Sequence, residues 1–121
     1  MDIETALKEA MAVDGAIGAA LVDFDSGMSL GSMGGGHELD LDVAAAGNTE
    51  VVRAKVRTLE ALSISDSIED ILITLDRQYH LLRILGHGHG RLFLYLALNR
   101  ERANLALARH HLRRIEAELS I

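Results

Sequence analysis

A chain of 121 residues, 49% of them hydrophobic, can bury a core of its own, roughly two thirds of its unfolded surface, and is too apolar to be disordered. Its formal charge of −6, from 18 acidic and 12 basic residues, disfavours nucleic acid, whose phosphates demand a basic surface. Cysteine is absent, which removes disulfides, thiolate metal sites and cysteine nucleophiles, and fits a cytoplasmic location. No apolar run reaches the ~18 residues of a membrane span, since Asp23, Asp76, Arg83 and Arg91 interrupt the candidates. The acidic start Met1-Asp2-Ile3-Glu4 is unlike a basic secretory leader. The expectation is one domain over 1–121, without membrane insertion and without nucleic acid as a partner.

Ile3, Leu7, Ala10 and Met11 recur at helical spacing, so Asp2 to Val13 is predicted as a helix with Asp2 as its N-cap. Ala16 to Asp23 and Met28 to Met33 flank Asp25-Ser26-Gly27 and predict a β-hairpin. Gly34-Gly35-Gly36 then releases the chain.

Asp40 to Leu62 carries the longest helical pattern, with Asp40 or Asp42 available as its cap. At 100° per residue, Leu41, Ala45, Val52, Val56 and Leu59 form one stripe. Ala44, Asn48, Val51 and Leu62 widen it on one side, with Gly47 and Ala54 further round. Glu50, Arg53, Arg57 and Glu60 share the opposite arc, spaced for surface ion pairs within Glu50/Arg53 and Arg57/Glu60. The apolar arc exceeds the ~100° a surface helix needs, which predicts two packing surfaces. The alternative is that its alanines merely favour helix.

Three strands follow, Ile68 to Leu75, Tyr79 to Leu85 and Arg91 to Leu98, joined by turns too short for anything but antiparallel neighbours. The third is apolar on both faces, so helices should cover both faces of the sheet. Arg100 to Ser120 closes the chain as a helix, with Leu105, Ala108, Leu112, Ile115 and Leu119 on one face. Arg109, Arg113 and Arg114 fit the favourable last turns of that helix. The fold class is therefore α/β of the α+β kind, in the order helix, hairpin, long helix, three-stranded antiparallel meander, helix, with one five-stranded sheet between helices.

Four stretches resemble the Roadblock (dynein light chain) domain family of the bacterial type. They are Asp14-Gly15-Ala16-Ile17-Gly18-Ala19-Ala20-Leu21-Val22-Asp23 with its Asp25-Ser26-Gly27 turn, Val43-Ala44-Ala45-Ala46-Gly47, Ile68-Glu69-Asp70-Ile71-Leu72-Ile73-Thr74-Leu75, and Leu94-Tyr95-Leu96-Ala97-Leu98-Asn99 leading into Arg102-Ala103-Asn104-Leu105. The resemblance implies a profilin-like sandwich, a homodimer, and regulation or scaffolding of small Ras-like GTPases without catalysis of its own. An apolar edge strand at Ile68 to Leu75 invites pairing with its copy in a second subunit. On that basis Ala44, Gly47, Asn48, Val51, Lys55, Ile71, Leu72 and Ile73 are candidates for the dimer interface. Glu50, Arg53, Arg57 and Glu60 are candidates for partner docking.

No constellation for chemistry stands out. His87-Gly88-His89 could supply two metal ligands, with His37, His80, His110 and His111 as contributors, but the spacing is not diagnostic. Neither Gly86 to Gly90 nor Gly34 to Gly36 carries the ending of a phosphate loop. Ser26 and Ser29 have no evident histidine partner. No catalytic residue, metal or cofactor is expected. The competing reading is a small-molecule sensor of the PAS or GAF type, which would need a pocket with convergent polar groups.

Overall fold

The computed structural model describes residues 1–86 and 88–120. Its elements are α1 (Ile3–Met11), β1 (Ala16–Asp23), β2 (Met28–Gly34), α2 (Leu41–Ala61), β3 (Asp70–Thr74), β4 (Gln78–Ile84), β5 (Leu92–Asn99) and α3 (Leu105–Glu118). Local chemistry sets most of these boundaries. Asp2 caps α1 by accepting from Thr5 N at 2.8 Å. Asp40, rather than Asp42, caps α2 by accepting from Asp42 N and Val43 N. The last helix begins five residues later than the sequence suggests. Asn99 first folds the chain into a turn by accepting from Glu101 N, and Asn104 then caps α3 through Leu107 N. The third predicted strand element is also shorter, with Ile68 and Glu69 before it and Leu75 after it.

The five strands form one antiparallel sheet in the order β2-β1-β5-β4-β3. Central β5 is buried along Leu92 to Leu98, as expected for a strand apolar on both faces. Leu94, Leu96 and Leu98 face α1 and α3, packing with Leu7, Ala10, Ala108, Leu112 and Ile115. Phe93, Tyr95 and Ala97 face the other way, against Leu41, Ala45 and Val52 of α2. The result is the sheet between helices that the element order predicts, in the profilin-like arrangement that the family resemblance implies.

Two glycines are required by geometry. Gly34 and Gly35 both have φ near +80°, and a Cβ would stand 2.7 Å from Ile17 O in the first and 2.6 Å from Leu39 O in the second. They bring the chain off β2 and over the sheet edge to start α2. No helix among the described residues is long and apolar enough to cross a membrane.

Candidate functional site

The placement of α2 creates the main surface feature. This helix lies across β1 and β2, and leaves the β3 end of the same sheet face largely uncovered. An apolar groove of about 620 Å³ results, lined by Val51, Ala54, Lys55 and Thr58 of α2 and by Ile68, Asp70 and Ile71 at the β3 edge. The exposed apolar side chains of Val43, Val51, Leu62 and Ile64 lie on α2 and just after it. The second apolar arc of α2 is thus a real surface, and it flanks an unpaired strand edge.

The candidate interface residues divide by face. Ile71 pairs with Leu82 and Ile73 with His80, two β4 residues in the same alternation, and Ile71 packs with the α2-side core. Ala44, Asn48, Val51 and Lys55 lie on the arc of α2 that turns toward β3, and Gly47 is exposed with open space around it. Leu72 differs. Alternation turns its side chain to the opposite face, where it packs against the α1/α3 core. Only its backbone belongs to the free edge.

The docking arc also divides. Glu50, Arg57 and Glu60 are exposed. Arg53 is not free: its Nε donates to Phe24 O at 2.6 Å and its Nη2 donates to Asp25 O. It ties α2 to the β1–β2 turn, so its guanidinium is committed to the fold. Neither Glu50/Arg53 nor Arg57/Glu60 forms an ion pair among the described residues. The main-chain carbonyls of the turn outcompete Glu50 for Arg53 because two of them converge on one planar fork.

The three arginines of α3 do not serve its last turn. Arg109 holds Asp70 of β3 through two bonds, Nε to Oδ2 at 3.0 Å and Nη2 to Oδ1 at 3.1 Å. Arg113 approaches Glu69 at 3.7 Å, and Arg114 meets Glu9 of α1 at 3.2 Å. They stitch α3 to the strand edge and to α1. Arg83 of β4 and Glu116 of α3 make a largely buried pair at 2.8 Å, and Glu116 also accepts from Gly86 N at 3.0 Å. Sequence spacing held no signal for these contacts, because the partners lie 30 or more residues apart.

A polar cluster sits under the β3 side of α2. Tyr95 is fully buried, and its ring meets His80 edge-on at 5.5 Å. The Tyr95 hydroxyl lies 3.4 Å from His80 Nδ1, and His80 Nε2 lies 2.7 Å from Gln78 Oε1. A neutral His80 with its proton on Nε2 satisfies both contacts. Burial pushes the Tyr95 hydroxyl up to about 12, against a smaller lowering by the hydrogen bond from Asn48. Burial also lowers the pKa of His80. Asn48 therefore serves the interior as well as the arc to which its position assigns it.

His87 lies outside the described residues. His89 Nε2 stands 3.1 Å from Glu116 O, and the rings of His110 and His111 meet edge-on at 5.9 Å along α3. Among the described residues no three potential ligands gather as a metal site would require. No buried side-chain nitrogen or oxygen among them lacks a partner.

No protein-family model and no curated protein matches the chain. Solved structures do. The chain is similar to a Roadblock/LC7 domain from Streptomyces avermitilis at 15% identity and a TM-score of 0.80, covering 97% of this chain and 93% of that one. It is similar to Myxococcus xanthus MglB at 18% identity and a TM-score of 0.76, covering 94% and 78%. The Thermus thermophilus gliding protein MglB gives 20% identity, a TM-score of 0.69, and coverage of 95% and 88%. At these identities the likeness establishes the fold, and the fold is that of the Roadblock/LC7 domain.

Proposed function

We propose that this chain is a non-catalytic, homodimeric Roadblock-type module that binds a small Ras-like GTPase and regulates or scaffolds it within a bacterial signalling system. The observation that carries this reading is the apolar groove beside the open β3 edge. Antiparallel pairing of β3 with its copy satisfies both edges and brings the two α2 helices together over the groove. Small residues at Ala44, Gly47 and Ala54 let those helices approach closely. The Roadblock/LC7 fold and the family resemblance of the sequence support the GTPase as partner.

Docking on the exposed arc of α2 falls to Glu50, Arg57 and Glu60, with Arg53 holding the helix in place behind them. Arg57 is exposed and in no ion pair among the described residues. The module would act on hydrolysis by ordering the GTPase's own catalytic loops, as electrostatic positioning dominates phosphoryl transfer. A sensor of the PAS or GAF type is disfavoured, because the interior is filled from both faces and, among the described residues, no buried side-chain polar atom waits for a ligand.

The test measures binding of the host's Ras-like GTPases, loaded with GTP or GDP, to the native chain and to an Arg57→Glu/Glu60→Arg variant. Nucleotide-dependent binding that the variant weakens while the solution mass stays unchanged is the expected result. Equal binding by the variant would move the docking site off α2, and absence of binding by every such GTPase would refute the partner.

A further inference from the structure

The sheet has a second open edge, β2, which pairing through β3 leaves untouched. Gly35 N donates to Ile17 O at 2.9 Å, and the same register continues through Gly18 with Gly34 and Ala19 with Met33. Hydrogen-bonded pairs alternate in an antiparallel ladder, so Gly31 and Met33 turn their amides to β1, and Ser32 and Gly34 turn theirs outward. Among the described residues, no backbone bond from another segment reaches those outward groups.

Edge strands are ordinarily guarded by lysine, proline, inward charge or a bulge. The segment Met28–Gly34 has no charge and no proline. Its guard is one bulge, where Leu30 has no opposite number between Gly31 and Ser29. Beyond it the pairing register is unbroken to Gly34, where the chain turns away. Met28 is 67% exposed and Leu30 45% exposed. Next to this edge lies a cleft of about 420 Å³, lined by Ser32 and Gly34 of the strand and by His37, Asp40 and Asp42 at the start of α2. Glu38, Asp40 and Asp42 are all exposed and in no ion pair among the described residues. No lysine or arginine lines the cleft.

We infer that β2 is a docking edge for an extended, basic segment of a partner protein, which adds to the sheet as a sixth strand and sets its lysines or arginines against Glu38, Asp40 and Asp42. Main-chain bonds to Ser32 and Gly34 supply affinity, and the acidic rim supplies selectivity. The same rim argues against a second copy of this chain as the occupant. Pairing β2 with itself would bring two unpaired acidic clusters together and repel.

The probe is a capped peptide of about nine residues, a strand's length, alternating valine with lysine, and the control carries glutamate in place of lysine. Amide spectra of the isotope-labelled full chain should shift along Met28–Gly34 on adding the lysine peptide, and not on adding the control. Glu38→Lys/Asp42→Lys should weaken the lysine peptide about ten-fold, a change of about 1.4 kcal/mol. Ser32→Pro, which removes only an outward amide, should abolish the shifts while leaving the rest of the spectrum folded. No shift along β2 at about 1 mM peptide, a span of −4.1 kcal/mol, would overturn the inference. So would equal binding of both peptides, or self-association that Ser32→Pro abolishes. These readouts are independent of the β3 dimer, which Ser32→Pro leaves intact.

Discussion

Val51→Glu separates the proposed dimer from the fold of the single chain. Val51 is 37% exposed on the α2 side of the groove, and it contributes nothing to the buried stripe of Leu41, Ala45 and Val52. In an isolated chain the glutamate would reach water, so the folding free energy should change by no more than about 0.5 kcal/mol. In the dimer it would enter an apolar seam in which Lys55 is the nearby charged side chain, the Asp70 carboxylate being held by Arg109 on the other face. An ion buried in such a seam costs several kcal/mol after relaxation, and Lys55 can offset part of that. Taking about 2 kcal/mol per site, and counting it twice because a twofold contact repeats every residue, the dissociation constant should rise roughly 10³-fold. Sedimentation equilibrium across a concentration series reads this directly. The native chain should weigh twice 13.1 kDa and the variant 13.1 kDa at the same concentration, with matching urea unfolding of the separated chains. A native chain of 13.1 kDa throughout would refute the dimer, and a variant that stays paired would refute the α2/β3 groove as its seam.

Other consequences follow from the polar contacts. Glu116→Ala leaves Arg83 largely buried with only the exposed Glu69 at 3.3 Å, and leaves Gly86 N without its acceptor. Urea unfolding should register a loss of about 3 kcal/mol, and Glu116→Gln should recover part of it. A loss under 1 kcal/mol would mean that Glu69 replaces Glu116 fully. Arg109→Ala releases the two-bond hold on Asp70, a pair partly open to water, and should cost about 1 kcal/mol. Amide exchange should then rise along Asp70–Thr74 before it rises along β5, and uniform acceleration would contradict a local role.

Alkaline stability tests the Tyr95 cluster. The hydroxyl ionises near 10 when unfolded and near 12 when folded, so above pH 10 the unfolded chain has released a proton that the folded chain retains. Stability that is fully present below pH 10 is therefore lost as pH rises toward 12, by up to about 3 kcal/mol. Tyr95→Phe should flatten that part of the profile, and an unchanged slope would place the titration elsewhere. His80 acts at the other end. Its lowered pKa means that the unfolded chain takes up a proton first as pH falls below 6.5, so acidification removes stability that His80→Gln should not lose.

Legibility differed sharply between levels of structure. The caps at Asp2 and Asp40, the hairpin around Asp25-Ser26-Gly27 and the doubly apolar β5 are all local signals, and each led to the observed element. The start of α3 is not legible in the sequence, because Arg100 to Ala103 carry no breaker and the Asn99 turn competes with helix through a side-chain bond that composition does not reveal. The two-faced character of α2 was visible in its arcs. The fate of Arg53 was not, since its helical spacing to Glu50 is genuine and its real partners are main-chain carbonyls 28 and 29 residues away.

The sequence by itself determined the elements, their order and the presence of a surplus apolar face on α2, because helical and strand periodicities and capping chemistry act within a few residues. The tertiary structure decided which half of the sheet α2 covers, and hence that the groove opens at β3. It decided that Leu72 turns to the α1/α3 face of the sheet while Ile71 and Ile73 turn to the α2 face, since register with β4 fixes the face of every side chain on β3. It also decided that the arginines of α3 brace the strand edge and that Tyr95, His80 and Asn48 meet under α2. Those contacts join segments far apart along the chain, and only packing the layers together brings them within bonding distance.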